Sequence, residues 1–367
     1  MAKHDIVIVG AGISGATLAE RYANEGKKVW ILEKRDHIGG NCYDYVDPAG
    51  ILVSKYGAHI FHTNFEDVWQ YINRFAPWRP YYHKVLASVD GQLVPVPVNI
   101  VTVNKLLGLH IKNSAQMEAW LKGAQIQFTS PKNSEQVALS RVGKVLYEKL
   151  FRNYTKKQWN KEPAELDALV LARIPVRNDF NDGYFSDKYQ ALPAGGYTRL
   201  FEKMLGHPNI HISLNADFFQ KRQEAQNCEK LFYTGPIDGY FNYSLSGGKK
   251  LQYRSLRFEF ETHNKEFYQS NSVINYPNTE AFTRIVEYKH FTGQKNPRTT
   301  ISKEYPSDVG EPYYPLPSPE NLDLYEQYAK AAAKLKGIHF VGRLANYKYF
   351  NMDQAFKNAL DLFTGLT

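Results

Sequence analysis

Apolar and polar positions along the chain fall into three regimes. Residues 6–9 are a short β-branched run with no polar break, the mark of a strand buried on both faces. Residues 14 to about 25 then read as a helix, Gly26 ends it, and residues 28–32 form a second strand. A short amphipathic helix over 65–75 stops at Pro77, and 85–98 alternates around Asp90-Gly91, a hairpin signal. From 100 to about 171 the period becomes helical, in four segments. Residues 181–197, with Pro193 and Gly195-Gly196, return to extended structure. Strands are expected at 210–215 and 230–234 beside the first two, and at 251–261, 272–276 and 299–305 in an antiparallel sheet. A buried strand at 337–341 and a helix from 352 to about 365 bring the chain back to its first unit.

The chemistry starts where the first strand ends. Gly10, Gly12 and Gly15 stand at G-x-G-x-x-G spacing between strand and helix. The first glycine permits the tight turn, the second lets backbone approach a pyrophosphate, and the third lets the helix pack closely. The helix from Ser14 aims its amides at the phosphates. Glu33 closes the second strand, where a carboxylate accepts from ribose hydroxyls. Just beyond lie Lys34 and His37-Ile38-Gly39-Gly40-Asn41, and the whole run resembles the FAD-binding opening of flavoproteins of the amine-oxidase and glutathione-reductase type. The fold class that follows is α/β. A Rossmann-like FAD-binding domain is assembled from 1–80, 206–245 and 317–367, a helical lobe is inserted over 100–170, and an antiparallel β-sheet domain takes 81–99, 171–205 and 246–316.

Composition narrows the partners. A net charge of +8 suits an anionic ligand, but the cations are scattered, with no basic arm for nucleic acid. The 26 tyrosines exceed what a core needs and suggest a polar groove. Cys42 and Cys228 are too few for a disulfide scaffold and lack metal-pair spacing, and Cys42 reads as packing. His59 and His62 have no nearby Cys or carboxylate to complete a metal site, so no metal is expected. With no apolar run of membrane length and no signal peptide, a cytoplasmic protein without membrane contact is expected.

Several stretches then converge in one order: Tyr56-Gly57-Ala58-His59-Ile60-Phe61-His62-Thr63, Tyr154-Thr155-x-Lys157-Gln158-Trp159, Arg173-Ile174-Pro175-Val176-Arg177, Tyr253-Arg254-Ser255-Leu256, Thr283-Arg284, Lys303-Glu304-Tyr305-Pro306, Glu311-Pro312-Tyr313-Tyr314-Pro315 and Gly342-Arg343-Leu344. Together they resemble the bacterial UDP-galactopyranose mutase family along nearly the whole chain. The resemblance implies an FAD enzyme that interconverts UDP-galactopyranose and UDP-galactofuranose with no net redox change. It also implies that the flavin must be reduced, by an electron donor such as NAD(P)H, and that the protein is a homodimer. In that family N5 of the reduced ring attacks the anomeric carbon, UDP leaves, the adduct opens, the sugar recloses in the other ring size and UDP returns.

Matched residue by residue, the resemblance implies that Arg173, on a mobile lid, and Arg284 clamp the diphosphate. Tyr184, Tyr314 and Tyr349 face the phosphates, Tyr154 stacks on uracil with Phe151 nearby, and Trp159 lies beside the sugar. His59 and His62 lie against the flavin, Arg343 and Met352 on its far side, and Glu304 at the sugar pocket. The chain departs from the family pattern at His83, where some members have Asn, at Asn351, where some have Asp, and at Asn153 and Asn160, where glycine is usual. These departures leave open the same chemistry on UDP-N-acetylgalactosamine or a dTDP-6-deoxysugar. A flavin oxidase or dehydrogenase, and a flavin-free binding protein like the GDP-dissociation inhibitors, are competing readings of the same fold.

Overall fold

Residues 4–172 and 175–367 are described by the computed structural model, without the side chain of Ser246. Ile6–Val9 and Val29–Leu32 pair in parallel at the centre of a five-stranded sheet. Its order is Ile210–Ser213, Val29–Leu32, Ile6–Val9, Lys230–Tyr233, Ile338–Phe340, every pair parallel. Sequence-adjacent strands lie on one side of Ile6–Val9 and late strands on the other. The order therefore reverses beside that strand, and a crevice opens outside its carboxyl end, where open α/β sheets take their ligands. The strand at Ile338–Phe340 is an edge strand and only half-buried, not the buried strand its apolar run suggests. An edge strand covers its neighbour on one side only, and an apolar run does not reveal that.

A seven-stranded sheet carries the second half. Its order is Tyr314–Pro315, Tyr253–His263, Thr299–Ser307, Arg284–Glu287, Val273–Asn275, Val85–Val89, Gln92–Val96. It is antiparallel except where Val273–Asn275 runs parallel to Val85–Val89. That parallel seam joins the early hairpin to the late strands. A three-stranded sheet of Phe61–Thr63, Tyr189–Pro193 and Trp78–Pro80 bridges to the nucleotide-binding unit. The following helix, Tyr197–Leu205, buries Leu200, Phe201 and Met204 in the same core as Ile6, Ile8 and Leu18. Residues 189–205 thus share one core with the nucleotide-binding strands and with Val85, Val273 and Val286 of the seven-stranded sheet.

The helical lobe rests on the hairpin, with Val94, Val98, Val103, Met117 and Leu146 in one cluster. Three of its helices start alike. The side chains of Asn99, Asn113 and Asn133 accept from the amides of Thr102, Gln116 and Gln136, each satisfying an orphan donor of the first turn. The long helical period near 134–159 is not one helix. Gly143 takes φ +75 and ψ 176, where a Cβ would sit 2.3 Å from the Ala124 carbonyl oxygen. Tyr147–Arg152 then forms a π-helical turn leading into the helix Asn153–Trp159. Such turns re-aim side chains at functional sites, and this one carries Phe151. Among the described residues no helix is long and apolar enough to cross a membrane.

Candidate active site

At the carboxyl end of Ile6–Val9 three stretches of bare backbone meet. Gly12 caps the helix Ile13–Asn24 without any side-chain bond to the first-turn amides. A Cβ on Gly40 would stand 2.8 Å from the Gly12 Cα, and one on Gly342 would stand 2.8 Å from Ser14 Oγ. Uncapped amides, a helix dipole and no side-chain bulk are what a pyrophosphate requires. Gly10, with φ +100, and Gly15 set the turn and the helix packing. Glu33, 5% exposed, accepts from the Ala11 amide at 2.8 Å and the Arg35 amide at 2.9 Å, locking turn and strand end together. Lys34 stands 3.3 Å from Glu311, and Arg35, which also pairs with Glu311, donates to Asn41 Oδ1 at 3.0 Å and covers the Tyr56 ring. Arg35 stands inside the run 33–41 that resembles the flavoprotein opening, but nothing in that run shows its pairing with Glu311.

From Asn41 the crevice continues into a cleft of about 550 Å³ between the sheets and the helical lobe. The structure brings most of the singled-out residues to this one cavity. His59, His62, His83, Phe151, Tyr154, Trp159, Tyr184, Arg284, Glu304, Tyr314, Arg343, Tyr349, Asn351 and Met352 all line it. Arg173 lies outside the described residues. A cleft of this size, lined by aromatic rings and many convergent polar groups, is the form of a small-molecule site.

Arg284 begins the strand Arg284–Glu287, and pairing in register with Glu304 on the next strand sets the two side chains on one face. Its Nη2 donates to the Tyr154 hydroxyl at 2.6 Å, while Nε faces Glu304 at 3.4 Å without making a hydrogen bond. Burial works against its charge, but Tyr154, Glu304 and the other tyrosines outweigh that and hold the guanidinium firmly ionised. Its exposed part opens into the cleft. Burial raises the Glu304 carboxyl, with Arg284 opposing. His83 is 4% exposed; burial, Arg284 and His62 pull its pKa to about 3, so it is neutral, and its Nδ1 has no partner among the described residues. Burial likewise draws His59 to about 4, while its Nδ1 meets the Gly57 carbonyl at 2.9 Å. Among the described residues the guanidinium groups of Arg284 and Arg343 thus line the cavity beside these neutral rings, as an anion site needs.

Tyr314 and Tyr349 stack 5.1 Å apart, with the Arg343 guanidinium over both rings. Arg343 is itself fixed by the carbonyls of Phe350 and Tyr313. Asn160 sits at φ +53 at the end of the helix bearing Tyr154 and Trp159. Asparagine tolerates that left-handed conformation, so the turn survives without glycine. Asn153 is plainly helical at φ −70. Among the described residues no cluster of His, Cys, Asp and Glu is able to hold a metal. Burial in the core pushes the Cys42 thiol up to about 12.

Sequence reading missed Asn275, whose buried Oδ1 at the cleft wall has no partner among the described residues, and Asp187, which holds His62. It also passed over how Lys157 works. The Lys157 ammonium donates to the carbonyls of Tyr276, Glu280 and Phe282, strapping the helix of Tyr154 and Trp159 to the segment before Arg284. Lys157→Met is expected to destabilise the protein by about 1–3 kcal/mol by orphaning those carbonyls. Burial lowers the Lys157 pKa from 10.5 to about 8. Between those values the unfolded chain binds more protons, so this group makes stability rise with pH. Denaturant titrations across that window should therefore show the deficit of Lys157→Met growing as pH rises.

Comparisons with known proteins converge on one family. A family model described as UDP-galactopyranose mutase matches residues 149–349, and one for an NAD(P)-binding Rossmann-like domain matches residues 8–75. A probable UDP-galactopyranose mutase of Klebsiella pneumoniae is 39% identical, over 98% of this chain and 94% of the relative. A dTDP-fucopyranose mutase of Escherichia coli is 36% identical, over 97% and 96%. The crystal structure of a reduced UDP-galactopyranose mutase superposes with a TM-score of 0.75 at 16% identity, over 100% of this chain and 95% of that one. At that identity it speaks for the fold. The first family model spans more than half of the chain and the relatives run nearly its full length, so the chain belongs to the UDP-galactopyranose mutase family.

Proposed function

We propose that the protein is an FAD-dependent isomerase that interconverts UDP-galactopyranose and UDP-galactofuranose, with no net redox change. The observation that carries this reading is Arg284, an ionised head bound to the Tyr154 hydroxyl in a cleft continuous with the bare-backbone crevice. A nucleoside diphosphate supplies the anion that this cation needs and the planar base that Phe151 and Tyr154 suit. Arg173 is the second arginine of the clamp on the strength of its motif alone.

The crevice of Gly12, Gly40 and Gly342 fits the pyrophosphate of FAD, and Glu33, Asn41, His59, Arg343 and Met352 would flank the rest of it. When bound in reduced form, the flavin supplies an electron-rich nitrogen able to displace the nucleoside diphosphate at the anomeric carbon. Arg284 steadies the departing diphosphate and holds it for return. The closing helix Met352–Leu366 opens its N-terminus on the cleft, which favours an anionic ring there. His59 and His83, being neutral, add no positive charge to compete for the diphosphate.

The dTDP-fucopyranose mutase relative favours a second reading, the same chemistry on a dTDP-6-deoxysugar. Anaerobic incubation with UDP-galactofuranose or dTDP-fucofuranose, with and without dithionite, separates the two. Conversion of the UDP sugar to its pyranose form only after reduction is the expected result. Preference for the dTDP sugar would transfer the assignment. Oxygen or NAD consumption with neither sugar isomerised would point to a flavin oxidase or dehydrogenase.

A further inference from the structure

Resting on the mutase reading, the structure assigns His62 and Asp187 a task that the reading itself leaves unfilled. Changing a pyranose into a furanose exchanges the ring oxygen. C1–O5 breaks and its electron pair stays on O5, which takes a proton. C1–O4 then forms from a pair on O4, which gives a proton up. The two exchanges cancel, and no oxidant or reductant is consumed. One group that gives a proton and takes it back serves both steps, and imidazole is the side chain built for that.

His62 is held for this work. It lies on the strand Phe61–Thr63, paired with Gln190, and lines the same cleft as Asn351 and Met352. Its Nδ1 stands 2.9 Å from Asp187 Oδ2, and the other oxygen of Asp187 accepts from Asn64 Nδ2 at 2.9 Å. The Phe185 ring covers one face of the imidazole at 3.7 Å. With Nδ1–H donating to the carboxylate, Nε2 lies on the ring edge away from Asp187; the cycle starts with a proton on Nε2, which passes to O5, leaves Nε2 as the acceptor and returns to it from O4. Among the described residues Nε2 has no hydrogen-bond partner. Asp353, in the first turn of the closing helix, and His83 are the other ionisable groups that bear on His62.

We propose that His62 is the proton carrier between O5 and O4, and that Asp187 is its positioning residue. His62→Ala is expected to lose about 10²–10⁴-fold in kcat, with KM for the nucleotide sugar and affinity for UDP nearly unchanged. Added imidazole should restore part of that rate. Asp187→Asn, nearly isosteric, should lose about 10–100-fold, with Asp187→Glu intermediate. A readout apart from turnover is the downfield imidazole N–H proton resonance, present in the wild type and absent from both His62→Gln and Asp187→Asn. Turnover of His62→Ala within threefold of wild type, or a loss that imidazole does not relieve and that UDP affinity shares, would overturn the proposal. An N–H resonance unaffected by Asp187→Asn would remove Asp187 from it. A wild type that binds UDP but isomerises neither sugar would sink the mutase reading and the proton carrier with it, while the resonance still decides the pair.

Discussion

On the proposed function, Arg284→Ala is expected to lower turnover by about 10³-fold while the flavin stays bound, because it removes the described cation that would meet the departing diphosphate inside a low-dielectric cleft. The variant also strands Glu304, a carboxylate 5% exposed whose pKa burial already raises and Arg284 opposes. Stability should fall by about 1–3 kcal/mol from the unpaired buried group. The sign of its pH dependence follows. A carboxyl raised above its ordinary 4.5 binds more protons folded than unfolded, so the folded state loses ground as pH climbs through the raised pKa. Arg284→Ala, with nothing opposing burial, should show that loss over a wider range. Adding Glu304→Gln removes the ionising group and should return most of the stability but none of the turnover. Turnover recovered along with stability in the double variant would mean that Arg284 serves the fold and not the phosphates. Flavin absorbance and UDP titration of each variant keep the two possibilities apart.

The parts of this site legible in the sequence are those whose physical cause is local. The strand, glycine turn, helix and acid at residues 6–33 announce themselves because the turn needs glycine at fixed offsets and the buried strand needs an unbroken apolar run. All of them appear where expected. Features set by contacts between distant segments were invisible. Asp187 meets His62 across 125 positions, and Lys157 reaches the Tyr276 carbonyl across 119. An aspartate before a strand and a lysine on a helix surface carry no signal of such pairing. The strand Arg284–Glu287 does not announce itself, because four residues give too little alternation to read. The bend at Gly143 and the π-helical turn at Tyr147–Arg152 went unseen for the opposite reason. Apolar spacing continues through both, and only the crowding of Ala124 against Gly143 shows why the helix breaks.

Two glycines of the turn should respond in opposite ways, and that difference tests the cofactor crevice itself. A Cβ on Gly15 would stand 1.9 Å from the Gly10 carbonyl oxygen and 3.2 Å from Ile8 Cγ2, both parts of the strand and turn beneath the helix. Neither moves cheaply, so Gly15→Ala must lift the helix from the sheet, and the flavin-free protein should lose about 3 kcal/mol of stability. Gly12 is different. It sits at φ −80, open to any residue, and its Cβ would meet only the Gly40 Cα, at an ordinary 3.6 Å. Gly12→Ala should therefore leave the flavin-free protein within about 0.5 kcal/mol of wild type. What the added methyl does obstruct is close approach of a pyrophosphate to the backbone, so FAD affinity should fall roughly 100-fold, about 2.7 kcal/mol. Thermal unfolding of flavin-free protein and fluorescence titration with FAD measure the two quantities separately. If Gly12→Ala proved as destabilising as Gly15→Ala yet bound FAD normally, the bare backbone would be a packing device and the phosphates would lie elsewhere. The expected split leaves Gly15 serving the protein and Gly12 serving the ligand, two roles that share one short motif but answer to different physics.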